Sequence, residues 1–412
     1  MDVVILSQYY EPEPIPKPHD LALALTARGH GVSVITGFPN YPGGDLYEGY
    51  HLGLSRKETI AGIPVVRTYE YPYHGRRASG RMLNYASFLL SAPLGCFRVR
   101  RGDVMYVWHP PLTIGVAAWL IARLRGMPFV YDVQDIWPES AVLSGVLRDG
   151  LLVRFMSRLE RFVYHRADHI LVPTEGARQN LIGKGVPEDR VTALPHWIDE
   201  SLFASGDQPA LRAQTRAELG WEGQFIVLFA GNLGLVQGLE KVIEAAPLLR
   251  GTNARIVFVG DGADKDRLVG LAQRMAPAGA VQFVDRQPIE RMPALMAGAD
   301  ALLVHLRSSE LSKYIVPSKT MAYLAAGRPI IMAMEGAAAD LVEASGGGVV
   351  IPSEDPERLA AAITALQAAP EAQRNSMGER GKAYLATHLS QAAVMARYEA
   401  ILVQVAGQRR HR

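Results

Sequence analysis

Short apolar runs alternate with longer amphipathic stretches along almost the whole chain. The first run, residues 3–6 (VVIL), leads into a proline-rich stretch at residues 11–18. Pro12, Pro14, Pro16 and Pro18 cannot all be helical or sit within a sheet, so the stretch reads as a surface loop after a first strand. Residues 19–29 then read as a helix ending at Gly29, and residues 32–35 as the next strand. This β–α–β opening predicts a doubly wound parallel sheet, where ligands bind at the carboxyl ends of strands. The loops after Leu6 and after Ile35 are therefore candidate site walls. The second runs over residues 36–44 and contains Asn40 and Tyr41. Plain surface turns are the competing reading for both.

The pattern continues with strands at 104–107, 129–131, 169–172 and 191–194, with a crossover helix at 112–124 and another helix at 175–183. It restarts at residues 224–230, with further strands at 255–259, 281–284, 301–304, 329–332 and 348–351. Residues 205–209 (SGDQP) read as the linker between the two halves. The expected division is residues 1–200, residues 201–388, and a last helix at 389–412 returning to the first domain. The basic tail, Arg409 to Arg412, reads as solvated. The fold class is α/β, with two parallel-sheet domains.

Composition narrows the function. Hydrophobic residues make up 49% and charged residues 20% of 412 positions, which describes an ordinary folded protein of two or three domains. A formal net charge of +2, without interleaved aromatic and basic residues, argues against a nucleic-acid partner. The single cysteine, Cys96, excludes disulfides within the chain and argues against a metal cluster. The chain opens directly on a strand with no signal-like segment, so a cytoplasmic location is expected. One segment complicates that picture. The apolar residues 82–97, from Met82 to Phe97, are bracketed by Arg76, Arg77 and Arg81 before them and by Arg98, Arg100 and Arg101 after. It is too short and interrupted to span a bilayer, but a helix with basic flanks can lie on an anionic membrane surface. A sheet-covering helix with basic ends is the alternative.

Three places carry candidate chemistry. In residues 316–331 (VPSKTMAYLAAGRPII), Pro317 and Ser318 supply a loop exit and an N-cap, and Gly327 stops a helix. A helix start offers free N–H groups and partial positive charge to a phosphate. Lys319 adds a full charge where a cation is mildly unfavourable, which points to a ligand; a capped helix with a solvated lysine is the plain alternative. The glycine turns Gly231-Asn232-Leu233-Gly234 and Gly260-Asp261-Gly262 follow consecutive strands and allow close backbone approach to a phosphate or base. Neither is a P-loop or a dinucleotide fingerprint. Finally, if the strands before them are parallel, His109, Asp132, Asp135 and Glu139 converge at one rim and can accept or position a hydroxyl proton. Buried loop-capping carboxylates are the competing reading.

Together these residues resemble a family-4 glycosyltransferase of the GT-B fold, with two facing Rossmann-like domains and a cleft between them. The matching stretches are residues 28–43 (RGHGVSVITGFPNYPG), 107–112 (VWHPPL), 131–139 (YDVQDIWPE), 231–234 (GNLG), 259–262 (VGDG) and 317–319 (PSK). The branch resembled is that of O-antigen and capsule enzymes, which includes the N-acetyl-L-fucosamine transferases. The resemblance implies a retaining, metal-independent transfer from a nucleotide sugar, UDP-linked, to a polyprenyl-diphosphate-linked saccharide. It also implies peripheral contact with the cytoplasmic membrane through residues 82–97, and no cofactor beyond the donor itself. The donor site it implies comprises Gly231, Asn232, Leu233, Gly234, Gly260, Pro317, Ser318, Lys319 and Thr320, with Arg286 in the nucleobase loop. His109 and Asp135, with Lys319, are the implied catalytic groups; Asp132, Gln134, Glu139, Asn40 and Tyr41 are on the acceptor side.

The chain also departs from the family. The family's two glutamates, eight positions apart, fall at Tyr314 and Ala322. Its diphosphate-binding arginine and lysine fall at Asn232 and Gln237, and its cleft histidine at Gln134. Diphosphate charge must then be met by Lys319, by backbone N–H groups, or by Arg307 or Lys313. A GT-B sugar-nucleotide 2-epimerase and a non-catalytic scaffold are the two alternative readings.

Overall fold

In the computed structural model the described residues are 1–75, 77–143, 147, 150–198, 200, 203 and 208–410. Arg76, most of the expected linker (residues 205–207) and the last two residues of the basic tail lie outside them.

The described residues form fourteen strands in two sheets, one in each of two compact units. The first unit is Met1–Leu194 with Met395–Arg412, and the second is Pro195–Val394. The first sheet contains β1 (Asp2–Ser7), β2 (Gly31–Gly37), β3 (Ser55–Ile60), β4 (Ile63–Thr68), β5 (Val104–His109), β6 (Phe129–Val133), β7 (His169–Val172) and β8 (Val191–Ala193). Its order is β3-β4-β2-β1-β5-β6-β7-β8. Every pairing is parallel except the edge hairpin β3–β4, where Ala61 and Gly62 turn the chain at φ 50° and 81°. That hairpin did not emerge from the apolar pattern, because β3 (SRKETI) has no buried residue.

The second sheet contains β9 (Phe225–Ala230), β10 (Ala254–Val259), β11 (Val281–Val284), β12 (Ala301–His305), β13 (Ile330–Ala333) and β14 (Gly348–Ile351). It is wholly parallel, in the order β11-β10-β9-β12-β13-β14. Helices cover both faces, so β9 (FIVLFA) is buried at every position and feeds two separate cores. Chain order reverses between β1 and β5 in the first unit and between β9 and β12 in the second. Crevices outside the strand ends at such switch points are where open α/β sheets bind ligands.

Two helix starts differ from expectation. The first helix is Pro16–Ala27, beginning inside the proline-rich stretch; Pro16 and Pro18 occupy its first turn, where no N–H is required. The helix Ser318–Ala326 has Pro317 at its cap, so Ser318 is its first residue rather than its cap, with no side-chain cap bond. Gly327 ends that helix at φ 65°, as expected for a left-handed cap. The last helix, Gln391–Arg410, is tied within the first unit by Tyr398, whose hydroxyl donates to Asp132 Oδ2 (2.9 Å), and by Glu399, which meets His30 (2.7 Å).

Candidate functional site

In the second unit the ends of β9 and β10 interlock through glycines. Gly231 N–H donates to the Val259 carbonyl (2.9 Å) and Leu233 N–H to the Asp261 carbonyl (2.8 Å). Gly260 has φ 146°, and a Cβ there would lie 2.0 Å from the Gly231 oxygen. The Ser318–Ala326 helix is fastened to the same strand end, because the Tyr323 hydroxyl accepts from Ala230 N–H (2.9 Å). One turn earlier on that helix, Lys319 lies along Gly231. Its ammonium stands 3.5 Å above the Phe229 ring and 3.3 Å from Gln237 Oε1.

Lys319 is partly buried, and burial alone pushes its pKa down to about 7. No carboxylate pairs with it among the described residues. Its neighbours are a ring face and an amide oxygen, which weakly favour a cation without neutralising it. The result is an uncompensated cation beside a helix start. It faces a pocket of about 780 Å³ whose lining includes Gly231, Asn232, Gly260, Arg286, Ser318 and Lys319. Pro317 lines it too, as do Ala322 and Gln237 at two of the family's charged positions.

Three expected donor-site residues do not line this pocket. Leu233 turns its side chain fully into the core, Gly234 leads into the short turn Leu235–Gln237, and Thr320 is buried within the helix packing. Arg307 and Lys313 do not line it either. Arg307 is paired with Glu240, and Lys313 meets Glu310 at 2.6 Å. Phe229 and Tyr323 were not singled out by sequence, although Tyr323 sits four residues from Lys319 on one helix face, a spacing that signals shared orientation.

In the first unit the expected four-residue rim is corrected. β5 and β6 are parallel neighbours, but their register pairs Trp108 with Asp132 and His109 with Val133. Alternation along a strand then sends His109 and Asp132 to opposite faces of the sheet. His109 lies edge-on to Tyr131 with centroids 5.7 Å apart. It is 1% exposed, and burial holds its pKa near 3, so its ring stays neutral. Asp132 instead accepts from Tyr106 (2.5 Å), Tyr398 (2.9 Å) and Gln134 (2.5 Å). Gln134 Oε1 also accepts from Lys17 (3.3 Å), whose ammonium lies over the Trp108 ring. Asp135 is exposed at the strand end. Glu139 is drawn away to Asn180 (2.9 Å) and Lys184 (3.1 Å).

Asn40 and Tyr41 both donate their N–H groups to Glu13 Oε1 (2.9 Å each). Tyr41, Tyr9 and His74 form a ring cluster with centroids 5.1–5.7 Å apart. Beneath them Glu70 accepts from Gln8 (2.8 Å) and Asn84 (2.7 Å), and burial pushes its carboxyl up to about 8. Glu13 and Glu70 were missed because isolated charges in loops carry no periodic signal, and Lys17 because the prolines around it hid the start of its helix. Among the described residues no group of three or more His, Cys, Asp or Glu side chains is placed to hold a metal.

Two α/β units, each with its loops at a switch point of a mainly parallel sheet, give the architecture, and the class of protein follows from the comparisons with known sequences and structures. Residues 17–197 match the family described as "Glycosyl transferase 4-like domain", and residues 212–384 match "Glycosyl transferases group 1". An Escherichia coli K12 protein named as a colanic acid biosynthesis glycosyl transferase, WcaI, is 30% identical over 325 residues. That alignment covers 76% of this chain and 77% of the relative. A Pseudomonas aeruginosa protein named as a glycosyltransferase, WbjE, is 29% identical over 68% of this chain and 69% of its own. The solved structure of Anabaena HepE in complex with UDP-glucose superposes with a TM-score of 0.67 over 98% of this chain and 100% of that one. Its 16% identity shows the fold alone. The chain belongs to the group 1 glycosyltransferases with a 4-like N-terminal domain.

Proposed function

We propose that the protein transfers a glycosyl group, with retention and without a metal, from a UDP-sugar to a polyprenyl-diphosphate-linked saccharide during surface polysaccharide assembly. It works at the cytoplasmic face of the membrane. The uncompensated charge of Lys319 carries this reading. The leaving group of such a transfer is a nucleoside diphosphate, and stabilising its developing charge is the main electrostatic demand of the reaction. Lys319 and the first N–H groups of the Ser318–Ala326 helix take the diphosphate, Gly231 and Gly260 give it close backbone approach, and Arg286 lies towards the base. Asp135 and Tyr41 are the acceptor-side groups, whereas the buried, neutral His109 supports the rim through Tyr131. The name of WcaI supports the pathway class, that of WbjE the glycosyl transfer, and the UDP-glucose bound by HepE the donor class. An N-acetyl-fucosamine or related amino sugar is the transferred group we would screen first.

The test is a thermal-shift titration with UDP, GDP, ADP and dTDP, with and without EDTA. A UDP-selective shift that survives EDTA is the expected result, because ligand bound to the native state stabilises it by mass action. No shift with any nucleotide at saturating concentrations would refute the reading in favour of a non-catalytic scaffold.

A further inference from the structure

The helix Ala78–Gly95 buries Phe88 and Ala92 on its inner face, but Asn84, Ser87 and Ser91 share that face and bond to the chain beneath it. Asn84 donates to Glu70 Oε1 and to the Tyr71 carbonyl (both 2.7 Å) and accepts from Gln8 (2.7 Å). Ser87 Oγ accepts from Tyr71 N–H (2.8 Å), and Ser91 donates to the Tyr69 carbonyl (2.5 Å). Outward lie Met82, Leu83, Leu90 and Leu94, followed by Phe97 just past the helix, all between 52% and 73% exposed. A helix in water normally turns its leucines inward. A contiguous apolar stripe turned outward marks a surface whose other side is not water.

The helix Thr113–Arg125 packs between this helix and Leu151–Arg166, so the three form one layer over the sheet. The third helix repeats the pattern at its start, where Leu151, Leu152 and Phe155 are 84%, 49% and 62% exposed. Arg81, Arg98, Arg123, Arg154, Arg158 and Arg161 are exposed around these side chains. The first two helices contain no Asp or Glu. The third has only Glu160, which is buried against Lys184 (2.8 Å). No described helix is long and apolar enough to cross a membrane.

We infer that this layer is a docking face for an anionic phospholipid bilayer. Two apolar ridges seat it, one on Ala78–Gly95 and the other at the start of Leu151–Arg166, and the arginines meet lipid phosphates. Membrane contact at the first ridge belongs to the proposed reaction with a lipid-linked acceptor. The second ridge does not follow from that reading, and it fixes the unit's orientation, since two ridges on one layer define a plane where one helix defines only a line.

Co-sedimentation of the full-length protein with vesicles of phosphatidylcholine, alone or mixed with phosphatidylglycerol, tests the inference. Wild type should bind the mixed vesicles more tightly, and added salt should weaken that preference. Leu90→Gln/Leu94→Gln and Leu151→Gln/Phe155→Gln should each lower binding by roughly tenfold or more. Arg154→Gln/Arg158→Gln should lower it about fivefold per arginine on mixed vesicles only. These positions are exposed, so unfolding midpoints should match wild type; if Leu151→Gln/Phe155→Gln shifts its midpoint, the arginine pair carries the test. Full binding by both the Leu151→Gln/Phe155→Gln and the arginine variants would overturn the second ridge while leaving contact through Ala78–Gly95 intact. Failure of wild type to bind either vesicle would overturn both. A dimer dissolved by the same variants, without vesicle binding, would assign the face to a second copy of the chain and overturn the inference.

Discussion

Replacing Lys319 by alanine removes a cation that no carboxylate balances, so its effect on nucleotide binding can be worked from its surroundings. The ammonium sits 3.3 Å from one amide oxygen and 3.5 Å above one ring. In the complex it exchanges those contacts for a charge-assisted bond to a diphosphate oxygen, worth about 1.5–3 kcal/mol. The dissociation constant for UDP should therefore rise roughly 10- to 150-fold. At UDP about 100 times the wild-type Kd, the native state gains about 2.7 kcal/mol, against about 0.4 kcal/mol for a variant binding 100-fold more weakly. For a unit of about 200 residues that is a thermal shift of about 5–11 °C against about 1–2 °C.

A pH series sharpens the assay. In the empty site the Lys319 pKa is lowered to about 7, and a bound diphosphate raises it again, so binding takes up a proton. Wild-type affinity should fall as pH rises above 7, and Lys319→Arg, which stays charged, should lose that slope. Unfolding does not confuse the result. The unfolded chain holds a proton between about pH 7 and the usual lysine range that the empty native site does not, so Lys319 destabilises the empty protein at pH 7. An empty Lys319→Ala protein should therefore unfold no earlier than wild type. An alanine variant with the full UDP shift and an unchanged pH slope would refute the reasoning.

Gly260→Ala should lower stability by about 1–3 kcal/mol in urea unfolding, because its φ of 146° and the Gly231 oxygen 2.0 Å from a Cβ leave no unstrained place for a methyl group. Tyr323→Phe should cost about 1–3 kcal/mol by leaving buried Ala230 N–H unsatisfied, and it should loosen Lys319, weakening UDP binding as well. Glu70 has a carboxyl raised to about 8 from an unfolded value near 4.5, so its stabilisation is full below about pH 4.5 and is lost as pH rises through 8. Chemical denaturation at several pH values should show that loss for wild type and a flatter profile for Glu70→Gln. Tyr398→Phe should raise hydrogen exchange in the last helix, since the hydroxyl it loses is a donor to Asp132.

The parallel sheets were legible because strands buried on both faces, such as β9, are unbroken apolar runs. β3 was not, since a charged edge strand has no such run. Lys319 was legible as a cation at the wrong end of a helix. Its cradle was not, because Phe229 and Gln237 lie more than 80 residues away and meet it only through the order of β9 and β12. The convergence of His109 with Asp132 failed for a sharper reason. Strand order places both at one sheet edge, but a one-residue difference in register decides which face each occupies. That register is set by packing, not by either strand's own pattern.

The contact of Tyr398 with Asp132 has a consequence for how the protein is made. The first unit is discontinuous: its sheet is complete by Leu194, yet the helix that supplies a hydroxyl to the buried Asp132 begins only at Gln391. The second unit is synthesised in between, which takes about 10–40 s at roughly 5–20 residues per second. During that interval the N-terminal sheet has left the ribosome with a buried carboxylate lacking one donor and the hydrophobic ground under the last helix uncovered. The second unit, contiguous in sequence, can complete its fold first. The first unit can therefore gain its last contacts only after the whole of the second unit has been made.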